Sequence, residues 1–217
     1  MKLSAQIISW VFMPLLMPVY ALLLVMYTPA EEQQFYGLEC LDCVYLLNAQ
    51  IKKALLYMFI IFCVIAPGIS FVLLKRSGAI NTLEMETRLE RTVPIIIMFI
   101  YCLGLYSMLM YTASAVALPK FIYSLPLSGA AVTGSFILLN QWKKISIHAA
   151  AVGILTGFIL AYTSVNMKFG VGMLCAAILL SGIVMAARSY LQKHTIQELV
   201  IGWFTGVLLT FTVSYFY

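Results

Sequence analysis

The chain has 217 residues, of which 63% are hydrophobic and only 10% charged, with a mean hydropathy of +1.00. That is more apolar surface than a soluble domain of this size can hide, so the composition excludes a water-soluble globular protein and leaves an integral membrane protein. The net charge of +5 suits cytoplasmic loops or an anionic lipid surface and does not call for nucleic acid.

The first apolar run, residues 7 to 27, follows only a few polar residues and has no small-residue cleavage pattern behind it. It reads as a spanning helix rather than a removed signal. Residues 28 to 53 form the longest connection, too broken by charge to span and too apolar to float, which predicts an interfacial helix or a folded cap. Cys40 and Cys43 lie in it; with no histidine nearby, a disulfide or two free thiols is expected rather than zinc. Cys63, Cys102 and Cys175 fall inside apolar runs as small packing residues.

Six further runs follow, at 54 to 74, 93 to 113, 125 to 142, 147 to 165, 169 to 187 and 199 to 217, each able to cross a hydrocarbon core of about 30 Å. The prediction is therefore an all-α fold: a polytopic helical bundle of six to seven transmembrane helices, forming one domain over residues 1 to 217. Pro14, Pro18 and Pro67 are kinks a bundle can absorb, and the pairs Gly153/Gly157 and Gly202/Gly206 give faces for close helix contact. Trp10, Trp142 and Trp203 are expected as membrane-interface anchors.

If all seven runs span, the loops 75 to 92, 143 to 146 and 188 to 198 share one membrane face, each just ahead of an apolar run. Pro94, Ser146 and Thr195 are residue types that favour a helix start. Three helix N-termini on one face, with Arg88, Arg91, Lys143, Lys144, Arg188 and Lys193 nearby, make a site for an anion, and phosphate fits the guanidinium fork best. Both histidines of the chain, His148 and His194, lie in the same collar. Imidazole suits proton transfer near neutrality and can attack phosphorus. Arg188 and His194 are six residues apart, about 240° around a continuous helix, so they converge only if the chain turns between them. His194 and Glu198 share a helix face, which lets the carboxylate orient the ring. Thr195-x-x-Glu198 is equally a capping box that closes a helix end, and the two roles can coexist.

These residues resemble the type 2 phosphatidic acid phosphatase superfamily of membrane lipid phosphatases, related in fold to vanadium haloperoxidases, whose motifs are K-x6-R-P, P-S-G-H and S-R-x5-H-x3-D. The third is matched by Arg188, His194 and Glu198, with Gly202 where the family has a glycine; the second by Ser146-Ile147-His148; the first, more weakly, by Arg91 and Val93-Pro94, with Arg88 in place of the lysine. The resemblance covers about Arg88 to the end and is nearest a small divergent branch of Bacteroidetes-type bacteria, which implies a bacterial inner-membrane location. It implies that His194 attacks phosphorus, Glu198 orients it and His148 protonates the leaving oxygen. Arg91, Arg188, Ser146 and either Arg88 or Lys144 would bind the phosphoryl oxygens, with no metal or other cofactor. The substrate implied is a lipid phosphomonoester or diphosphate such as phosphatidate or a polyprenyl diphosphate. Ile147 for glycine and Glu198 for aspartate depart from the pattern, so the alternative is an inactive relative that binds or moves anionic phospholipids. A transporter ranks last, because the charges sit at helix ends rather than at mid-membrane depth.

The motif face carries nine Lys and Arg against four opposite, which by charge bias faces the cytoplasm, whereas many family members work on the periplasmic side. Six of the nine stand in the collar; without them the count is three against four. On the sequence, orientation stays open.

Overall fold

The computed structural model describes residues 2–29, 43–82, 87–113, 117–166 and 170–217. Seven helical segments are long and apolar enough to cross a membrane: Lys2–Tyr27, Ala49–Arg76, Arg88–Thr112, Lys120–Leu139, Ile147–Val165, Val171–Tyr190 and Ile196–Phe216. The protein is a polytopic helical bundle. Four of these segments begin about five residues before the apolar run that announces them, because an apolar run marks only the lipid-facing length. Polar caps lie outside it: Asn48 accepts from the Gln50 N–H, and Thr87 from that of Glu90.

The prolines shape the first two segments. Helix α1 (Lys2–Val11) stops ahead of an extended Met13, Pro14 opens a 3-10 turn (Pro14–Leu16), and α2 (Met17–Tyr27) continues inward. In the second segment α3 (Ala49–Ile60) passes through a π turn (Ile61–Ile65) into α4 (Ala66–Arg76), which carries Pro67 at its start. The wider turn accommodates the N–H that proline lacks. One expected start is corrected. Pro94 lies well inside α5 (Arg88–Thr112), because the capping box of Thr87 and Glu90 begins the helix earlier. Arg88 and Arg91 therefore belong to its first turn.

Helices α6 (Lys120–Leu139), α7 (Ile147–Val165), α8 (Val171–Tyr190) and α9 (Ile196–Phe216) complete the bundle. Helix α7 is its axis: 72% of its apolar stretch is buried, against 56% in α6 and 33% or less in the others. Its closest neighbour is α9, and the four glycines explain the approach. A Cβ on Gly157 would stand 2.5 Å from the Val207 carbonyl, and one on Gly202 2.7 Å from the Ser146 carbonyl. Gly153 and Gly206 meet backbone at Trp203 and Ala150 in the same way. Small residues on both helices thus bring two main chains together, and they do so from the helix starts downward.

Trp10 and Trp142 are exposed, as anchors would be. Trp203 is not at a helix end: it packs against the core two turns into α9, and its indole N–H is buried with no partner among the described residues. Cys63 and Cys102 are buried free thiols, whereas Cys175 is exposed on α8. Cys43 is disulfide-bonded. Cys40, with most of the 28–53 connection expected to cap the bundle, lies outside the described residues.

Candidate active site

The site begins with a chain reversal. Helix α8 ends through the bond from the Lys193 N–H to the Arg188 carbonyl (3.2 Å), and Gln192 takes the left-handed conformation at φ 53°. That turn brings Arg188, in the last turn of α8, and His194, just before α9, to the same end of the bundle. The start of α7 is joined to them directly, because the Ser146 N–H donates to the Glu198 carbonyl (3.3 Å). Ser146 itself is fully buried and accepts from the Ala149 N–H (3.3 Å), so its hydroxyl caps α7.

His194 is the centre of the arrangement. Its side chain is 2% exposed, and Nδ1 lies 2.7 Å from Oε2 of Glu198. An ionised carboxylate can only accept, so Nδ1 carries the proton and donates, leaving the lone pair on Nε2. Burial, then the charges of Arg91, Arg188 and Lys144, lower the affinity of this imidazole for a second proton, to a pKa of about 3. The Glu198 carboxylate pulls the other way, but it faces three cations. The ring is neutral at physiological pH, oriented, and has a free nitrogen lone pair.

Around it stand buried cations. Arg91 and Arg188 are 4% and 5% exposed, and both act electrostatically on His148 as well as His194. Nη1 of Arg91 donates to the Ile145 carbonyl (2.8 Å), which ties α5 to the α6–α7 connection. Lys144 reaches the Lys193 carbonyl (3.4 Å). His148, in the first turn of α7, lies within electrostatic range of His194, and its ring is turned toward the Ser9 carbonyl of α1.

Of the residues singled out from sequence, His148, His194, Glu198, Arg91, Arg188, Lys144 and Ser146 come together here. Arg88 does not: its guanidinium is exposed and donates to the Gln141 carbonyl (2.7 Å), and it is not among the charges that act on either histidine. The contributions of Ser9 and Ile145 were not foreseen. Both act through main-chain carbonyls, which leave no mark in residue identity. An open groove of about 330 Å³ adjoins the site, lined by the charged Lys143, Lys144 and Glu198 together with apolar residues that include Leu139, Trp142 and Ile201. Among the described residues no cluster of three or more His, Cys, Asp or Glu side chains is placed to hold a metal ion. No protein-family model, curated protein or solved structure matches this chain.

Proposed function

We propose that the protein is a membrane lipid phosphatase that works through a phosphohistidine on His194 and needs no metal. The observation that carries this reading is the His194–Glu198 pair: a buried imidazole, fixed through Nδ1 at 2.7 Å, with the buried guanidiniums of Arg91 and Arg188 acting on it. In this reading the Nε2 lone pair attacks phosphorus and the bond to the leaving oxygen breaks. His148, protonated once the phosphate dianion is bound, gives that oxygen its proton. Water then attacks the phosphohistidine, His148 takes the water's proton, the P–N bond breaks and inorganic phosphate leaves. Arg91, Arg188 and Lys144 balance the charge that builds on the phosphoryl oxygens.

The groove beside Lys144 and Glu198 supports a lipid substrate, since apolar Leu139, Trp142 and Ile201 line it together with those charged residues. A phosphatidate-like monoester or a polyprenyl diphosphate suits a groove of such mixed lining. The test is phosphate release by the detergent-purified protein from phosphatidate, phosphatidylglycerophosphate and a polyprenyl diphosphate in EDTA, with His194→Ala alongside. The expected result is release that survives EDTA and disappears in the variant. Folded protein that binds these lipids but releases nothing would overturn catalysis in favour of a headgroup-binding protein.

A further inference from the structure

We propose that Asn140, the residue that ends α6, is a positioning residue of the phosphate site: its amide brackets the first turn of α5 and so fixes where Arg91 meets an anion. The inference rests on the reading of Arg91 as a group that binds the phosphoryl oxygens. Arg91 is buried and acts electrostatically on both histidines, yet it stands on a different helix from either of them. Its place therefore depends on what holds the start of α5. The helix alone holds that turn weakly: Pro94 lacks the N–H that would donate to the Glu90 carbonyl, so one bond between the first turn and the rest of α5 is missing.

Asn140 supplies a tie from outside. Its Nδ2 donates to the Arg88 carbonyl (2.9 Å) and to Oγ1 of Thr92 (3.2 Å), on either side of Arg91 in the chain. A main-chain carbonyl only accepts, so the amide nitrogen rather than its oxygen faces α5, and its two hydrogens match two acceptors one helical turn apart. Asn140 is buried and has a firm support of its own. Its N–H donates to the Phe136 carbonyl (2.9 Å), and the N–H groups of Gln141 and Trp142 close the turn on Leu138 and Leu139 (3.0 and 3.1 Å). The α5 side returns the grip, through Nη1 of Arg88 on the Gln141 carbonyl (2.7 Å) and Nη1 of Arg91 on the Ile145 carbonyl (2.8 Å). The bond to Ile145 thus holds the tip of Arg91, and Asn140 holds the main chain beneath it.

The same short connection reaches the histidines. Lys144 lies in it and acts on His194, and at its end the Ser146 N–H donates to the Glu198 carbonyl (3.3 Å). Residues 140–146 therefore join the turn that carries Arg91 to the turn whose carboxylate orients His194. Alanine at position 140 would give the Arg88 carbonyl no donor, and aspartate would face it with a second acceptor. Either change frees the turn beneath Arg91, and an anion must then immobilise it on binding, which weakens affinity.

The test is a mutant cycle read by calorimetry, with inorganic phosphate titrated into the detergent-purified full chain, so that no turnover is needed. Asn140→Ala should weaken phosphate binding about tenfold in the wild-type background and less than about twofold in an Arg91→Gln background, since a residue that acts through Arg91 then has nothing to act on. A merely structural role would lower the binding stoichiometry, which reports the folded fraction, and leave the affinity of the remainder unchanged. Thr92→Val keeps the side chain's shape, removes one of the two acceptors and should weaken binding about threefold; it takes the place of Asn140→Ala in the cycle where that variant does not fold. Equal losses with and without Arg91, or an unchanged affinity, overturn the proposal, and wild-type protein that binds no phosphate overturns it together with the site. The expected cycle without release from any lipid phosphate would refute the phosphatase reading and leave the role of Asn140 standing.

Discussion

Two helix starts in this protein carry the same pattern and do different things. Thr87-Arg88-Leu89-Glu90 opens α5, and Thr195-Ile196-Gln197-Glu198 opens α9. Each threonine accepts from the N–H of its glutamate, at 3.4 and 3.3 Å. The carboxylates then part. Glu90 returns to the Thr87 N–H (3.4 Å) and accepts from the Asn81 main chain (3.2 Å), which closes the capping box. Glu198 turns instead to His194 at 2.7 Å. The pattern by itself specifies a helix start; the residue just ahead of the cap decides where the carboxylate goes. An imidazole in that position offers a shorter, stronger partner than the backbone, and a structural cap becomes an orienting group.

The comparison breaks most sharply at the two glutamates. Glu198→Gln keeps the shape but lets the side-chain amide stabilise the wrong tautomer of His194, so phosphate release should fall about 10³- to 10⁴-fold with the fold intact. Glu90→Gln should leave release within about twofold. Steady-state assays on both variants, with circular dichroism to verify folding, decide the matter. Equal losses would mean that Glu198 only caps.

How much of this was legible in the sequence differs between fold and site. Seven apolar runs gave the spans, since lipid imposes a length that composition reports directly, and the glycine pairs marked α7 and α9 as faces for close contact, though not as each other's partner. The ends were misread by a turn, because polar caps such as Asn48 and Thr87 leave no hydropathy signal, and Pro94 drew attention away from the earlier start. Within the site, Arg188, His194 and Glu198 were visible from spacing, given a turn between the first two. Arg88 stands apart: its position one turn before Arg91 suits the collar, but its guanidinium donates to the Gln141 carbonyl. Side-chain direction at a helix N-terminus depends on which carbonyls the next connection presents, and no spacing rule records that.

A smaller difference is expected at the threonines. Thr87→Ala and Thr195→Ala each remove a cap, which costs about 1 kcal/mol of stability by denaturant titration. Only Thr195→Ala should also slow phosphate release, about tenfold, because it loosens the turn that carries His194 and Glu198. Equal activity in the two variants would show that the His194–Glu198 pair holds without its cap.

The pH dependence sharpens the same contrast. In the unfolded chain an imidazole protonates near pH ~6.5, whereas His194 in the fold resists a second proton down to about 3. Between these values the unfolded state binds the extra proton, so His194 makes stability fall as pH drops from ~6.5 toward 3 and contributes no slope above that range. Thermal midpoints measured across the window should decline less in His194→Gln than in the wild type. The same decline in both would place the proton elsewhere. No counterpart is expected at α5, where no histidine precedes the cap.

The connections leading into the two starts extend the comparison to the helices before them. Helix α4 closes with the bond from the Ala79 N–H to the Leu74 carbonyl (3.0 Å), and Gly78 occupies the left-handed position at φ 78°. Helix α8 closes the same way through Lys193 and Arg188, but with Gln192 at φ 53°. A side chain in that conformation costs about 1 kcal/mol that glycine avoids. Gln192→Gly should therefore raise stability by up to about 1 kcal/mol, and Gly78→Ala should lower it by a similar amount, both read from denaturant midpoints. Freed of its Cβ, the turn at Gln192 holds Arg188 and His194 less firmly, and phosphate release should fall a few-fold while the protein becomes more stable. A stabilised Gln192→Gly protein with undiminished release would show that the bond from His194 to Glu198, with that of the Ser146 N–H to the Glu198 carbonyl, rather than the turn, fixes the position of His194.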